Sequence, residues 1–135
     1  MRILLSVFFL GLVLMFASCD DDENIPKIVG IYTLTEESVS GCNDPLENVT
    51  EPKTCTASDC TTLTLSGDGT FSEVEIDNGV TTTDSGTYVV NGTQITFTYP
   101  GDSDVAEFTL NSGNLVLTYP ADGDGCVEAD TYGKN

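Results

Sequence analysis

The sequence predicts an all-β domain, a single antiparallel up-and-down β-barrel of about eight short strands. Short runs that alternate apolar and polar residues recur from Ile28 onward, as in strands with one buried face. Glycine turns separate the runs, and two of them, Asn78-Gly79 and Asn91-Gly92, are strong signals for two-residue hairpins. No run shows a convincing helical period, and closing eight strands on themselves leaves no unpaired edge.

The first 27 residues differ from this domain in composition. A basic start, an apolar run from Ile3 to Phe16 and two small residues are typical of a secretory signal. The run is shorter than the roughly 20 residues of a membrane-spanning helix. We therefore divide the chain into a signal peptide (1–18), an acidic tether (19–27) and one β-domain (28–135).

Cys19 stands at the cleavage point of the signal, after Phe16-Ala17-Ser18. This site resembles the bacterial lipobox in the looser form, with Phe for Leu, that is common in lipoproteins of Bacteroidetes type. The resemblance implies that the Cys19 thiol is acylated. The acids at 20–23 resemble the signal that sends such lipoproteins to the outer leaflet, although a solvating spacer would look the same. We expect a lipid-anchored protein of the bacterial outer membrane, exposed at the cell surface.

Composition argues against several functions. Without the signal the chain keeps all 22 acidic residues but only three basic ones, a net charge of −19, so almost nothing would neutralise nucleic-acid phosphates. The chain has no His, the commonest general base and transition-metal ligand, and no carboxylate pair stands out. The loop 122–125 alternates acids but lacks the closing Glu of an EF-hand, so turn chemistry explains it. We expect that the protein is not an enzyme and that it binds no cofactor and no metal.

Each predicted strand follows from alternation or from β-branched and aromatic residues, and each ends at a turn. A long irregular segment, Val39–Cys60, separates the first two strands. Val74 and Ile76 share a face that is out of phase with Phe71, which predicts a β-bulge at Phe71. The predicted strands are 28–38, 61–66, 71–77, 81–90, 93–99, 105–110, 115–119 and 126–132.

Alternating strand directions place the loops at two ends of the barrel. If the first strand begins at the bottom, then the segments 39–60, 78–79, 100–104 and 120–125 lie at the top. The tether and the remaining turns lie at the bottom, so the top loops point away from the membrane. The cysteines other than Cys19 all fall at the top.

One face of the alternating runs is apolar and is expected to point inward. An eight-stranded barrel has room either for filled side chains or for one small ligand, and the sequence leaves both open. The candidate ligand-lining residues are Leu63, Leu65, Val74, Ile76, Tyr88, Ile95, Phe97, Tyr99, Phe108, Leu110 and Leu117.

Three segments resemble the lipocalin-like domains of Bacteroidetes lipoproteins, within the calycin group. They are the opening strand 28–34 (IVGIYTL), the hairpin 63–71 (LTLSGDGTF) and the hairpin 86–97 that begins GTY. The resemblance implies an eight-stranded barrel with a lid loop between its first two strands at the open end. Tyr32 replaces the family's Trp, and the C-terminal helix of true lipocalins is missing.

Four cysteines remain after Cys19, and in an exported protein an even number implies disulfides. Cys42 follows the first strand and Cys60 precedes the second, so neighbouring strands would bring them together. We therefore expect Cys42–Cys60, with Cys55 joined to Cys126. The nearest rival is Cys42–Cys55 with Cys60–Cys126.

These observations predict a monomeric, non-enzymatic binding module on the cell surface. It would hold a small apolar or amphipathic ligand, or a partner, at the open end of the barrel, and would touch the membrane only through its lipid. The alternative is a structural or interaction protein of the cell surface with a filled barrel and no small-molecule ligand.

Overall fold

A computed structural model describes residues 28–121, 123 and 125–135 of the chain. The predicted signal peptide, Cys19 and the acidic tether lie outside the described residues. Within the described residues, a single 3-10 turn, Pro45–Glu47, follows the first of nine antiparallel strands. The strands are β1 (Gly30–Ser40), β2 (Val49–Pro52), β3 (Asp59–Leu65), β4 (Thr70–Asp77), β5 (Val80–Asn91), β6 (Gln94–Tyr99), β7 (Asp102–Asn111), β8 (Asn114–Tyr119) and β9 (Val127–Lys134).

Eight of these strands close into an up-and-down barrel, as predicted. From β3 to β9 each strand pairs with the next along the chain, and β1 closes the barrel by pairing with both β3 and β9. The strand directions put the predicted top loops at one end. Among the described residues, no helix has the length and apolar character needed to cross a membrane.

The ninth strand, β2, was not predicted, because its four residues are all exposed and carry no apolar alternation. It pairs with the upper part of β1, opposite residues 36–39, whereas β3 pairs with the lower part, opposite residues 30–33. Both run antiparallel to β1. They therefore act as one interrupted strand, from which residues 53–58 leave the sheet.

The predicted bulge at Phe71 is wrong. The pairing of β3 with β4 is regular from Leu65↔Phe71 to the top of the hairpin, and the irregularity lies in β1, between Leu34 and Glu36. Residues directly opposite each other share a face, so Phe71 points inward with Leu65. Val74 then faces outward, contrary to prediction, and so does Ile76. Val74 and Ile76 were predicted to face inward because they are apolar, but β-branched residues are accommodated on either face of a strand.

The two predicted hairpin turns differ in detail. Asn78 and Gly79 form a two-residue loop in which both have positive φ, 51° and 79°, as expected. The second loop is displaced by one residue, because Asn91 pairs with Gln94. Gly92 takes its first position with φ of 63°, so Asn91 ends β5 rather than entering the turn.

Buried side chains fill the lower half of the barrel. The hydroxyl of Tyr32 donates to the Ile28 carbonyl at 2.8 Å, and that of Tyr88 donates to the Ser66 carbonyl at 2.8 Å, so these phenols are not left unsatisfied. Ile28 itself is fully buried at this end. The core consists of Ile28, Tyr32, Leu34, Leu63, Leu65, Phe71, Tyr88, Ile95, Phe97, Ala106, Leu115, Leu117 and Tyr132.

Candidate functional site

Two disulfides lie at the top of the barrel, but neither pairing considered from the sequence is correct. The bonds are Cys42–Cys126 and Cys55–Cys60. Ser40 pairs with Val127, so Cys42 and Cys126 face each other just beyond that pair. β2 occupies the edge of β1 below Cys42, which keeps Cys60, at the start of β3, away from it.

Above the filled core, the inward face becomes acidic. Glu73 lies opposite the buried Leu63, and Asp130 lies opposite the buried Leu117, so both carboxylates share the face of the core. β1, β5 and β7 also place carboxylates on the inner face near the open end. We name the inward carboxylates of Glu37, Glu73, Asp84, Asp104 and Asp130 the acidic mouth.

Aromatic side chains form the floor of the acidic mouth. Tyr99, Phe108 and Tyr119 are partly buried and pack on the core. The ring of Phe71 meets the Tyr99 ring edge-to-face, with centroids 5.1 Å apart. The hydroxyl of the core residue Tyr132 donates to Glu73 Oε2 at 3.2 Å. The open end therefore combines aromatic rings with negative charge.

Burial and mutual repulsion disfavour ionisation in the acidic mouth. Burial, followed by the charges of Glu37, Glu73 and Glu128, raises the pKa of Asp130 to about 6, against a smaller opposing effect of Lys53. Burial also raises the pKa of Glu73, although the hydrogen bond from Tyr132 opposes this. The pKa values of Asp130 and Glu73 are raised because several carboxylates share a partly buried site with few neighbouring cations.

The tyrosines of the floor respond to the same environment. Burial, followed by the charges of Glu73 and Asp104, raises the pKa of Tyr99 to about 12. Burial and then the charge of Asp130 raise the pKa of Tyr119 further. Both phenols therefore stay neutral at physiological pH.

Lys53 lies at the rim of the acidic mouth, where β2 ends. Its Nζ is 2.7 Å from Glu37 Oε2 and 3.4 Å from Glu51 Oε2. The hydrogen bond with Glu37 raises the pKa of Lys53, so the ammonium stays charged. With Leu34, Thr61 and other residues it encloses a cavity of about 60 Å³. A broader depression of about 320 Å³ is lined by Glu37, Glu128 and Asp130, among others.

The predicted ligand-lining residues fall into four groups. Leu63, Leu65, Tyr88, Ile95, Phe97 and Leu117 are buried in the core. Tyr99 and Phe108 are partly buried at the floor of the acidic mouth. Val74 and Ile76 face outward, and Leu110 faces inward opposite Leu115 at the bottom, where it is 37% exposed.

The inward carboxylates were not among the predicted site residues, although the alternation contained a signal for them. Counting back by two from Tyr132 gives Asp130, and counting on by two from Phe71 gives Glu73. The same step from Ala106 gives Asp104. Charged residues usually face outward, so the apolar residues alone were taken to mark the inner face and these carboxylates were not predicted.

A second concavity lies on the outer wall of the barrel. β7 continues above the end of β8, and the resulting cleft of about 280 Å³ is lined by Val105, Thr118, Tyr119, Pro120 and Val127, among others. It is largely apolar, and Val105 is exposed. The cleft shares Tyr119 with the floor of the acidic mouth, whereas Val105 and Thr118 point outward.

The described residues offer little for a resident metal. Glu47 lies near the sulfurs of Cys42 and Cys126, but these sulfurs are joined in a disulfide and are not the thiolates that bind metals. Asp122 and Asp124, of the loop considered for calcium, lie outside the described residues.

Comparison with protein families agrees with this architecture. The model of a lipocalin-like domain matches residues 28–117. The matched region runs from the buried Ile28 through most of β8, and so it contains most of the acidic mouth. The search of the curated proteins finds no match.

Proposed function

Because the chain belongs to the lipocalin-like domain family, we propose that it is a non-enzymatic binding module, anchored by a lipid on Cys19 at the surface of the bacterial outer membrane. The acidic mouth is its binding site. The position of Ile28 supports this orientation, since it lies buried at the bottom of the barrel. A tether that precedes it would leave the mouth directed away from the membrane.

The ligand we propose is a small amphipathic cation, such as an aromatic or quaternary ammonium compound. The observation that carries this choice is the joint presence of the Tyr99 and Tyr119 rings and of inward carboxylates at an open end. Aromatic faces attract organic cations, and the carboxylates add Coulomb attraction. An anionic fatty acid would meet repulsion and a filled core.

The test compares two probes that each carry one aromatic ring but opposite charge, benzyltrimethylammonium and phenylacetate. Isothermal titration of the disulfide-bonded protein is expected to show saturable binding of the cation, weakened by salt, and no binding of the anion. Asp104→Asn should weaken cation binding. Glu107→Gln is the matched control, since it removes one charge from the outer face of the same strand.

The alternative is a structural or interaction protein with a filled barrel. The filled lower half of the barrel supports this alternative, because it leaves no room there for a deep apolar pocket. The titration separates the two functions. If neither benzyltrimethylammonium nor phenylacetate binds, the filled-barrel alternative stands and the proposed ligand class is wrong.

The anchor and its export are tested apart from the ligand. Cys19→Ser is expected to release the protein from membranes, because the acyl chains are lost while the domain is intact. Retention after a high-salt wash would contradict the lipid anchor. Replacing Asp20–Asp22 by Asn is expected to preserve lipidation but to remove surface accessibility to added protease; unchanged accessibility would reduce these acids to a spacer.

A further inference from the structure

We propose that Lys53 is an internal competitor for the acidic mouth, an ammonium group of the chain itself that a cationic ligand must displace. This inference rests on the proposed function. Its basis is the position of the Nζ atom, 2.7 Å from Glu37 Oε2 and 3.4 Å from Glu51 Oε2. Glu37 belongs to the acidic mouth, and its charge in turn acts on Asp130.

The backbone around Lys53 is held in place, so the competitor is a side chain and not a mobile lid. The Lys53 N–H donates to the Thr35 carbonyl at 2.8 Å, which continues the pairing of β2 with β1. Two residues later, Cys55 is bonded to Cys60. The Ser58 carbonyl also accepts a hydrogen bond from the Gly79 N–H at 3.0 Å.

The side chain itself can leave its carboxylates at small cost. It is 34% exposed, and ion pairs with this exposure contribute little to stability. Rotation about its own bonds would carry the ammonium group from the rim into solvent. Glu37 would then be free to face a ligand, and the cavity below Lys53 would open.

Lys53 is important because the described residues contain few cations. Among the described residues the cations are Lys53 and Lys134, and Lys134 lies at the bottom, where its Nζ is 3.1 Å from the Val29 carbonyl oxygen. Lys53 is therefore the cation that the described chain places beside the acidic mouth. A ligand with positive charge would take over the same carboxylate.

The test measures the affinity for benzyltrimethylammonium in the full disulfide-bonded protein and in three variants. Lys53→Met removes the competitor and is expected to raise affinity by about two- to fivefold, the range that corresponds to an exposed ion pair. Lys53→Arg keeps the charge and should bind like the wild type. Lys134→Met removes an equal charge from the bottom and should leave the affinity unchanged.

A second measurement follows Lys53 directly. Reductive methylation, read by mass spectrometry, should modify Lys53 faster when the quaternary probe saturates the protein, while the rate at Lys134 stays constant. The probe has no primary amine and does not consume the reagent. This readout reports displacement even if the affinities differ little.

The outcomes separate the inference from the function on which it rests. Binding that is equal or weaker in Lys53→Met, together with an unchanged methylation rate at Lys53, overturns the inference and leaves the binding module standing. If the probe binds neither the wild type nor Lys53→Met, both are overturned. If Lys53→Arg gains as much affinity as Lys53→Met, the effect does not come from charge and the competitor is rejected.

Discussion

The hydroxyl of Tyr132 donates a 3.2 Å hydrogen bond to Glu73 across the interior of the barrel. The two residues belong to β9 and β4, which are not neighbours in the sheet. The bond joins the filled core, of which Tyr132 is part, to the acidic mouth above it. It also satisfies a phenol and a carboxylate that would be costly to leave unpaired in this position.

Loss of this bond should depend on pH. Tyr132→Phe is expected to lower the free energy of unfolding by about 1–3 kcal/mol at pH 7, where more of the Glu73 carboxyl is ionised than at pH 4. The loss should be smaller at pH 4, because the raised pKa of Glu73 leaves it mostly protonated there. Urea unfolding at both pH values measures the difference.

Tyr88→Phe is the matched control for that prediction. Its hydroxyl donates to the Ser66 carbonyl, which does not titrate, so its loss should cost the same at both pH values. An equal cost of Tyr132→Phe at pH 4 and pH 7 would mean that the Tyr132–Glu73 bond does not depend on the charge of the carboxylate.

Asp130 should make the protein less stable as the pH rises from about 4 to 6. Its folded-state pKa of about 6 lies above the ordinary value of 3.8, so in this window the folded state binds more protons than the unfolded state and stability falls. Asp130→Asn is expected to raise the free energy of unfolding at pH 7 by about 1–3 kcal/mol after allowance for screening.

Urea titrations between pH 4 and pH 7 test this prediction. The variant should show a flatter dependence on pH than the wild type over that interval. Glu107→Gln, an exposed change on the outer wall, should leave the slope unaltered. A steeper dependence in Asp130→Asn would contradict the assignment of Asp130 as a destabilising carboxylate.

The two disulfides should differ in their contribution to stability. Cys42–Cys126 spans 84 residues and Cys55–Cys60 only 5. In the chain-entropy model, removal of the long-range bond by paired Cys→Ala changes costs about 4–5 kcal/mol and removal of the local bond about 2 kcal/mol. Urea unfolding of the two double variants compares them. A larger loss from the local bond would show that the segment 53–58, which leaves the sheet between β2 and β3, has its own role in stability.

Leucines at two depths test where the solid core ends. Leu117 is 1% exposed and Leu110 is 37% exposed, although both face the interior. Leu117→Ala should therefore cost about 2–5 kcal/mol, as for a buried leucine, and Leu110→Ala well under half of that. Thermal and urea unfolding of the pair measure the ratio. Equal losses would imply that the bottom of the barrel is as tightly packed as its middle.

The strand order and the two ends of the barrel were determined by local signals. Alternating runs and turns such as Asn78-Gly79 depend on neighbouring residues, so the sequence alone predicts the meander and places the top loops and the cysteines together. The same reasoning failed for the inner face of β4. A strand has period two, and an apparent bulge at Phe71 shifted the assignment from Glu73 to Val74.

Only the tertiary structure decided how the top of the barrel is connected and what lines it. Whether Cys42 meets Cys60 or Cys126 depends on which strand occupies each edge of β1, and the exposed strand β2 left no apolar signal from which to infer this. The charge of the mouth depends on register, because one step along a strand exchanges its faces. The sequence determined that a barrel would form, and long-range pairing determined that its open end would be acidic.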